Sequence, residues 1–75
     1  MDPDCIIVFE STHQALKAEK TLKRCDLTGR MIPLPRNFSS KCGLALRISS
    51  EMKPQIEAAL LDNAIEYEGI YDLEQ

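Results

Sequence analysis

Cys42 is the side chain in this sequence best suited to nucleophilic chemistry. It lies in the string Pro35-Arg36-Asn37-Phe38-Ser39-Ser40-Lys41-Cys42-Gly43, with two cations shortly before it and a glycine directly after. The thiolate is the reactive form of cysteine, and positive charge nearby favours it. A second group, Ser11-Thr12-His13, brings two hydroxyls that can hydrogen-bond an anionic sulfur and an imidazole that can add charge or accept a proton. Ser39 and Ser40 offer further hydroxyls, and Gly43 lets the backbone pass close to whatever Cys42 carries. Each residue also has an ordinary reading. A cysteine at the start of a strand often serves as a small buried hydrophobe, and His13 in a first helical turn is often merely solvated. Ser11 can simply cap a helix, Ser39 and Ser40 can shape a turn, and Arg36 can pair with Glu10 on the surface. Their convergence on one corner, not any one of them, points to a site.

Other chemistries lack their parts. The chain has no Ser-x-Gly nucleophile elbow, no Walker-type glycine loop and no carboxylate pair placed for acid–base work. Cys5, Cys25 and Cys42 form an odd set without CxxC spacing, which argues against a disulfide framework and a metal site and for reduced thiols. No apolar stretch approaches a membrane span, and the beginning, Met1-Asp2-Pro3-Asp4, is acidic where a secretory signal is basic and then apolar. A cytoplasmic address is expected, with no membrane partner. The net charge of −3 hides an asymmetry. Eight cations between His13 and Ile48 face only Glu19 and Asp26, whereas seven acids from Ser49 onward face only Lys53. Nucleic acid is not expected as a partner, because Phe38 is the single aromatic in the basic stretch and stacking needs more.

The elements that must position these residues follow from periodicity. Cys5-Ile6-Ile7-Val8-Phe9 is an apolar, β-branched run suited to a central strand. Ser11 stands three residues before Gln14, a capping-box spacing, and Ala15, Ala18, Leu22 and Cys25 recur at helical intervals up to the turn signal Thr28-Gly29. This predicts a first helix with Cys25 on its buried face. Arg30-Met31-Ile32-Pro33-Leu34-Pro35 is extended, but its prolines confine it to a sheet edge. Residues 37–42 form a hairpin loop, and Gly43-Leu44-Ala45-Leu46-Arg47-Ile48 alternates as a third strand. Ser49 or Ser50 caps a second helix that tolerates Pro54 in its opening turn. Its inward stripe is Ile56, Ala59, Leu60 and Asn63, with Asn63 a left-handed stop. Glu66-Tyr67-Glu68-Gly69-Ile70-Tyr71-Asp72 closes the sheet as an edge strand guarded by charge.

The whole length, 1–75, is expected to be one α+β domain, since 75 residues bury a single core. The order β-α-β-β-α-β predicts a two-layer ferredoxin-like sandwich with an antiparallel sheet in the order 4-1-3-2 and both helices on one face. Its first strand is apolar on both sides, so a homodimer through the open sheet face is one way to cover it. In this topology Glu10 to His13, the hairpin loop and Cys42-Gly43 meet at one end. Cys42 then lies beside the first helix's N-terminus, whose free N–H groups and positive partial charge favour an anion, as do Arg36 and Lys41.

The succession Phe9-x-Ser11-Thr12-His13-x-Ala15-Leu16-x-Ala18-Glu19-Lys20, then Ile32-Pro33-x-Pro35-Arg36-x-x-Ser39-Ser40-x-Cys42-Gly43-Leu44-Ala45, and the closing Tyr67-Glu68-Gly69-Ile70-Tyr71, resembles the selenium/sulfur carrier-like family of small bacterial proteins. The resemblance covers nearly the whole chain. It implies that Cys42 accepts sulfur or selenium as a persulfide or selenopersulfide from a cysteine desulfurase-like donor and hands it to an acceptor enzyme. The protein itself would be a carrier rather than an enzyme, without a resident cofactor and with only transient sulfane sulfur or selenium on Cys42. The Cys-Pro-x-Pro motif of better-known sulfur-relay carriers is absent. The competing reading is a non-covalent small-anion or protein-interaction module, in which Ser11, Thr12, Arg36, Ser39 and Ser40 hold the anion and Cys42 is a bystander.

Overall fold

Every residue of the first strand, β1 (Asp4–Val8), is buried from Cys5 onward, which an apolar run achieves only between two covered faces. The computed structural model describes residues 4–38 and 41–73. Among them the elements follow as α1 (Thr12–Arg24), β2 (Arg30–Pro33), β3 (Leu44–Ser49), a 3₁₀ turn (Ser50–Met52), α2 (Lys53–Asp62) and β4 (Gly69–Asp72). The sheet is antiparallel throughout, in the order β2-β3-β1-β4. Read from the other edge, this is the expected 4-1-3-2. Both proline-bearing and acidic segments lie at the rims, as their missing donors and their charge require. They are shorter than the sequence pattern suggests, with β2 ending at Pro33 and β4 beginning at Gly69.

Strand alternation sorts the side chains into two layers. Cys5, Ile7, Leu46 and Ile48 face the helices and pack with Ala15, Ala18 and Leu22 of α1 and Ile56, Ala59 and Leu60 of α2. Phe9 and Ile65 complete this core. Ile6, Val8 and Ala45 point to the other face, which is not bare: Ile32, Leu34, Phe38 and Leu73 lie against it. All three centre residues are at most 2% exposed.

Both helices end in the same way. Cys25 caps α1, Asp26 turns left-handed at φ 61°, and Leu27 N–H reaches back to Leu22 O (2.8 Å) while Asp26 N–H bonds Lys23 O (3.2 Å). Asn63, Ala64 (φ 55°) and Ile65 repeat this at the end of α2, with Ile65 N–H on Leu60 O at 3.0 Å. These are Schellman stops, in which the residue after the left-handed one folds back onto the core. They correct two expectations. Cys25 is exposed, not buried, because the helix unwinds one residue too early for its side chain to reach the core. Ala64, not Asn63, is the left-handed residue, while half-buried Asn63 uses its side-chain amide to bond Ala59 O at 2.8 Å. At the start of α2, Ser49 Oγ accepts Glu51 N–H and so caps the 3₁₀ turn, and Pro54 falls within the opening turn of the helix.

Buried Cys5 donates its thiol to Asp72 Oδ1 at 3.3 Å, tying β1 to the edge strand β4. Burial, followed by the Asp72 carboxylate, pushes this thiol above the ordinary value of 9.0. The unfolded chain therefore releases the proton at lower pH than the folded one. The resulting stabilisation is complete below pH 9.0 and is lost as pH rises toward the folded value. Urea midpoints measured from pH 8 to pH 10.5 should fall more steeply in the wild type than in Cys5→Ala; parallel curves would show that Cys5 does not contribute.

Candidate functional site

The site begins with the way β1 passes into α1. Fully buried Phe9 anchors the chain, and Ser11 stays extended (φ −136°, ψ 151°) as the helix cap. Its Oγ accepts Gln14 N–H at 3.2 Å, and the helical ladder starts with Ala15 N–H on Ser11 O. The N–H groups of Thr12 and His13 carry no bond among the described residues. Only half of the capping box forms, because Gln14 Oε1 accepts Glu66 N–H (3.1 Å) instead of turning back to Ser11. α1 thus opens with exposed donors and no acidic residue in its first turn.

β3 approaches this helix start from the other side. Gly43 adopts φ +74°, and a Cβ built there meets nothing within 4 Å. The backbone conformation rather than lack of space calls for glycine at this position. Gly43 O accepts Leu34 N–H at 3.0 Å, closing the base of the β2–β3 loop. This geometry delivers Cys42 half-buried, its stem against the helix-side core and its Sγ 3.8 Å from Thr12 Oγ1, to which it donates. The sulfur is neither sealed in the interior nor at the far end of the molecule. A thiol so placed can be reached from solvent while fixed protein dipoles stand beside it.

The remaining predicted residues divide. Thr12 and Cys42 come together as expected. Ser11 lies on the same turn but spends its oxygen on the cap. His13 is exposed and shares a hollow on the outer side of α1 with Leu16, Lys17 and Lys20. Arg36 and Lys41 are exposed in the β2–β3 loop, and Ser39 and Ser40 lie outside the described residues.

Two features were missed from sequence. The first is how the Cys42 loop is held. Phe38 crosses the open sheet face and packs its ring on Tyr71 of β4, with centroids 5.1 Å apart and planes tilted by 42°. Tyr71 can lie there because Gly69 has no side chain: a Cβ at Gly69 would stand 2.7 Å from the Tyr71 hydroxyl. A glycine between two tyrosines in a strand pattern was the available signal. Gly69→Ala is expected to turn the Tyr71 ring away at a stability cost within about 1 kcal/mol, since only one side chain must move. Amide exchange should then quicken at residues 36–38, and unchanged protection there would refute the tether. The second is a hollow of about 480 Å³ beside the helix start, lined by Glu10, Ser11, Gln14, Ile65, Glu66, Tyr67 and Glu68. The alternating acids before Gly69 mark its rim, although they read as a guarded strand edge. Among the described residues no cluster of His, Cys, Asp and Glu can hold a metal ion.

Fold and site together define a small α+β domain that offers one accessible thiol at an open helix N-terminus. A family model described as putative Se/S carrier protein-like matches residues 4–72, and the chain belongs to that family. No curated protein and no solved structure is significantly similar to it.

Proposed function

We propose that this protein carries sulfur or selenium on Cys42 as a persulfide or selenopersulfide and passes it between partner enzymes in the cytoplasm. The observation that carries this reading is the half-exposed Cys42 Sγ beside Thr12 Oγ1 at the start of α1, in a chain of this family. In loading, the Cys42 thiolate attacks the outer sulfur of a donor persulfide. The donor's S–S bond breaks as the new bond to Sγ forms, and the donor thiolate departs and takes up a proton. Electrons balance without an external oxidant, so the carrier needs an accessible sulfur and a polar cradle and leaves catalysis to its partners. The open N–H groups of Thr12 and His13 and the Thr12 hydroxyl are suited to hold the terminal sulfur anion. Arg36 and Lys41, both exposed in the β2–β3 loop, add positive charge that can guide the cargo toward an acceptor. The element order and sheet order support a ferredoxin-like sandwich as the scaffold.

The same open N–H groups favour a second reading, a small anion held without covalent chemistry. Incubation with a cysteine desulfurase and cysteine, followed by intact mass without reductant, separates the two. A carrier gains the mass of one sulfur atom that dithiothreitol removes, whereas an anion holder keeps its mass.

A further inference from the structure

Beside the sulfur site runs a face that the carrier reading leaves unused. His13, Leu16, Lys17, Lys20, Lys23 and Arg24 are all exposed and fall at helical spacing on the side of α1 turned away from the sheet. The last-turn cations Lys23 and Arg24 suit the negative end of the helix dipole, but Lys17 and Lys20 stand mid-helix, where that effect has faded. Lys20 has like charges three and four residues away at Lys17, Lys23 and Arg24, each a repulsive neighbour on a helix surface. Glu19 is the only carboxylate in α1, and among the described residues no ion pair engages these four cations. Two shallow hollows, of about 510 and 250 Å³, lie along this face and share Lys17 and Lys20. Leu16, 47% exposed, gives the second an apolar wall.

A chain of net charge −3 thus carries an uncompensated, self-repelling basic stripe on the helix whose first residue touches Cys42. Resting on the carrier reading, we infer that the outer face of α1 docks an acidic surface of the protein that exchanges sulfur with Cys42. The stripe extends along a helix of about 20 Å, so a partner lying on it has Cys42 at one end of the contact. Nucleic acid fits less well. The stripe bears no aromatic side chain, and Phe38 and Tyr71 are engaged with each other on the opposite side of the sheet. The acid-rimmed hollow by Glu66 and Glu68 would repel a phosphate backbone next to the stripe. The same hollow supplies polarity, because it steers a partner's acids onto α1 and away from the β4 side.

The test uses two synthetic helical peptides that end in a cysteine persulfide, one with glutamates on a single face and one with glutamines there. Sulfur loads onto Cys42 from each by the exchange already described, with the peptide thiolate as leaving group. At low salt the acidic peptide should load the wild type about tenfold faster than the neutral one, and the difference should vanish near 1 M salt. Lys20→Glu should remove most of that advantage while leaving loading from the neutral peptide unchanged. Because it converts three repulsive neighbours to attractive ones, it should also raise Tm by roughly 5–10 °C. Equal rates from the two peptides, or an undiminished advantage in Lys20→Glu, would overturn the docking face. If Cys42 takes sulfur from neither peptide, the carrier reading is decided by the desulfurase loading described above, and docking by fluorescence anisotropy of the acidic peptide with serine in place of its cysteine. Salt-sensitive binding lost in Lys20→Glu would uphold the face, and absence of binding would overturn it. A single-stranded oligonucleotide that binds more tightly than the acidic peptide would overturn the choice of a protein partner.

Discussion

Cys42→Ser should abolish sulfur loading, lowering it by about two orders of magnitude or more, since a hydroxyl is neither a competent nucleophile nor a stable sulfane carrier under these conditions. The fold should survive, because Cys42 is only half-buried and serine is smaller and comparably shaped. The other two cysteines make the result specific. Cys25 is exposed at the far end of α1, so Cys25→Ser should load like the wild type and shift stability within about 0.5 kcal/mol. Cys5 is 1% exposed and its thiol donates to Asp72, so it offers no reachable nucleophile. Loading that persists in Cys42→Ser and disappears in Cys25→Ser would transfer the role to the other exposed thiol.

Phe9→Ala should have the largest effect on stability, a loss of about 3–5 kcal/mol. Phe9 is fully buried and heads the set of largest buried side chains, where α1, α2 and the sheet meet. A domain of 75 residues has roughly 4–11 kcal/mol in total, so the loss is a large fraction of the whole. The consequence reaches the site because Phe9 fixes the turn that sets Ser11 and Thr12 opposite Cys42. Phe9→Leu retains most of the volume and should cost less than half as much, with loading preserved where the protein is folded. Urea denaturation of both variants checks the order. A Phe9→Ala midpoint equal to that of Phe9→Leu would mean that the side chain is not the anchor.

Much of this arrangement was legible in the residues themselves. A run apolar on both faces suits a central strand, two prolines confine a strand to the rim, and β-α-β-β-α-β with antiparallel pairing leaves few sheet orders. From those steps Cys42 falls beside the start of α1, and Thr12 lies within 3.8 Å of its sulfur. What periodicity could not show is where a helix stops. The spacing Ala15, Ala18, Leu22, Cys25 continues a buried stripe on paper, yet Asp26 breaks the helix and leaves Cys25 in solvent. Ala64 has a Cβ that normally disfavours the left-handed region, so Asn63 drew the stop signal in its place. Both positions are over-ruled by the residue that follows, since Leu27 and Ile65 must fold back onto the core.

The loop shows the same limit for a different reason. Phe38 looked like a lone aromatic in a basic stretch, but it spans the sheet to reach Tyr71 on the opposite edge. Contacts that cross a sheet between distant segments leave no periodic trace. Gly69 is part of that contact only because the ring it admits belongs to Tyr71. On the sheet face away from the helices, Ile32, Leu34, Phe38 and Leu73 pack against Ile6, Val8 and Ala45, contacts between distant segments of the same kind.

One measurement bears most directly on the proposal that Cys42 holds the cargo. The protein is purified without reductant, its free thiols are blocked, and its peptides are mapped by mass spectrometry. The extra sulfur or selenium is predicted on the peptide containing Cys42, removable by dithiothreitol, with Cys5 and Cys25 unmodified. The same atom found on Cys25, or no added atom on any cysteine even after exposure to a desulfurase and cysteine, would contradict it.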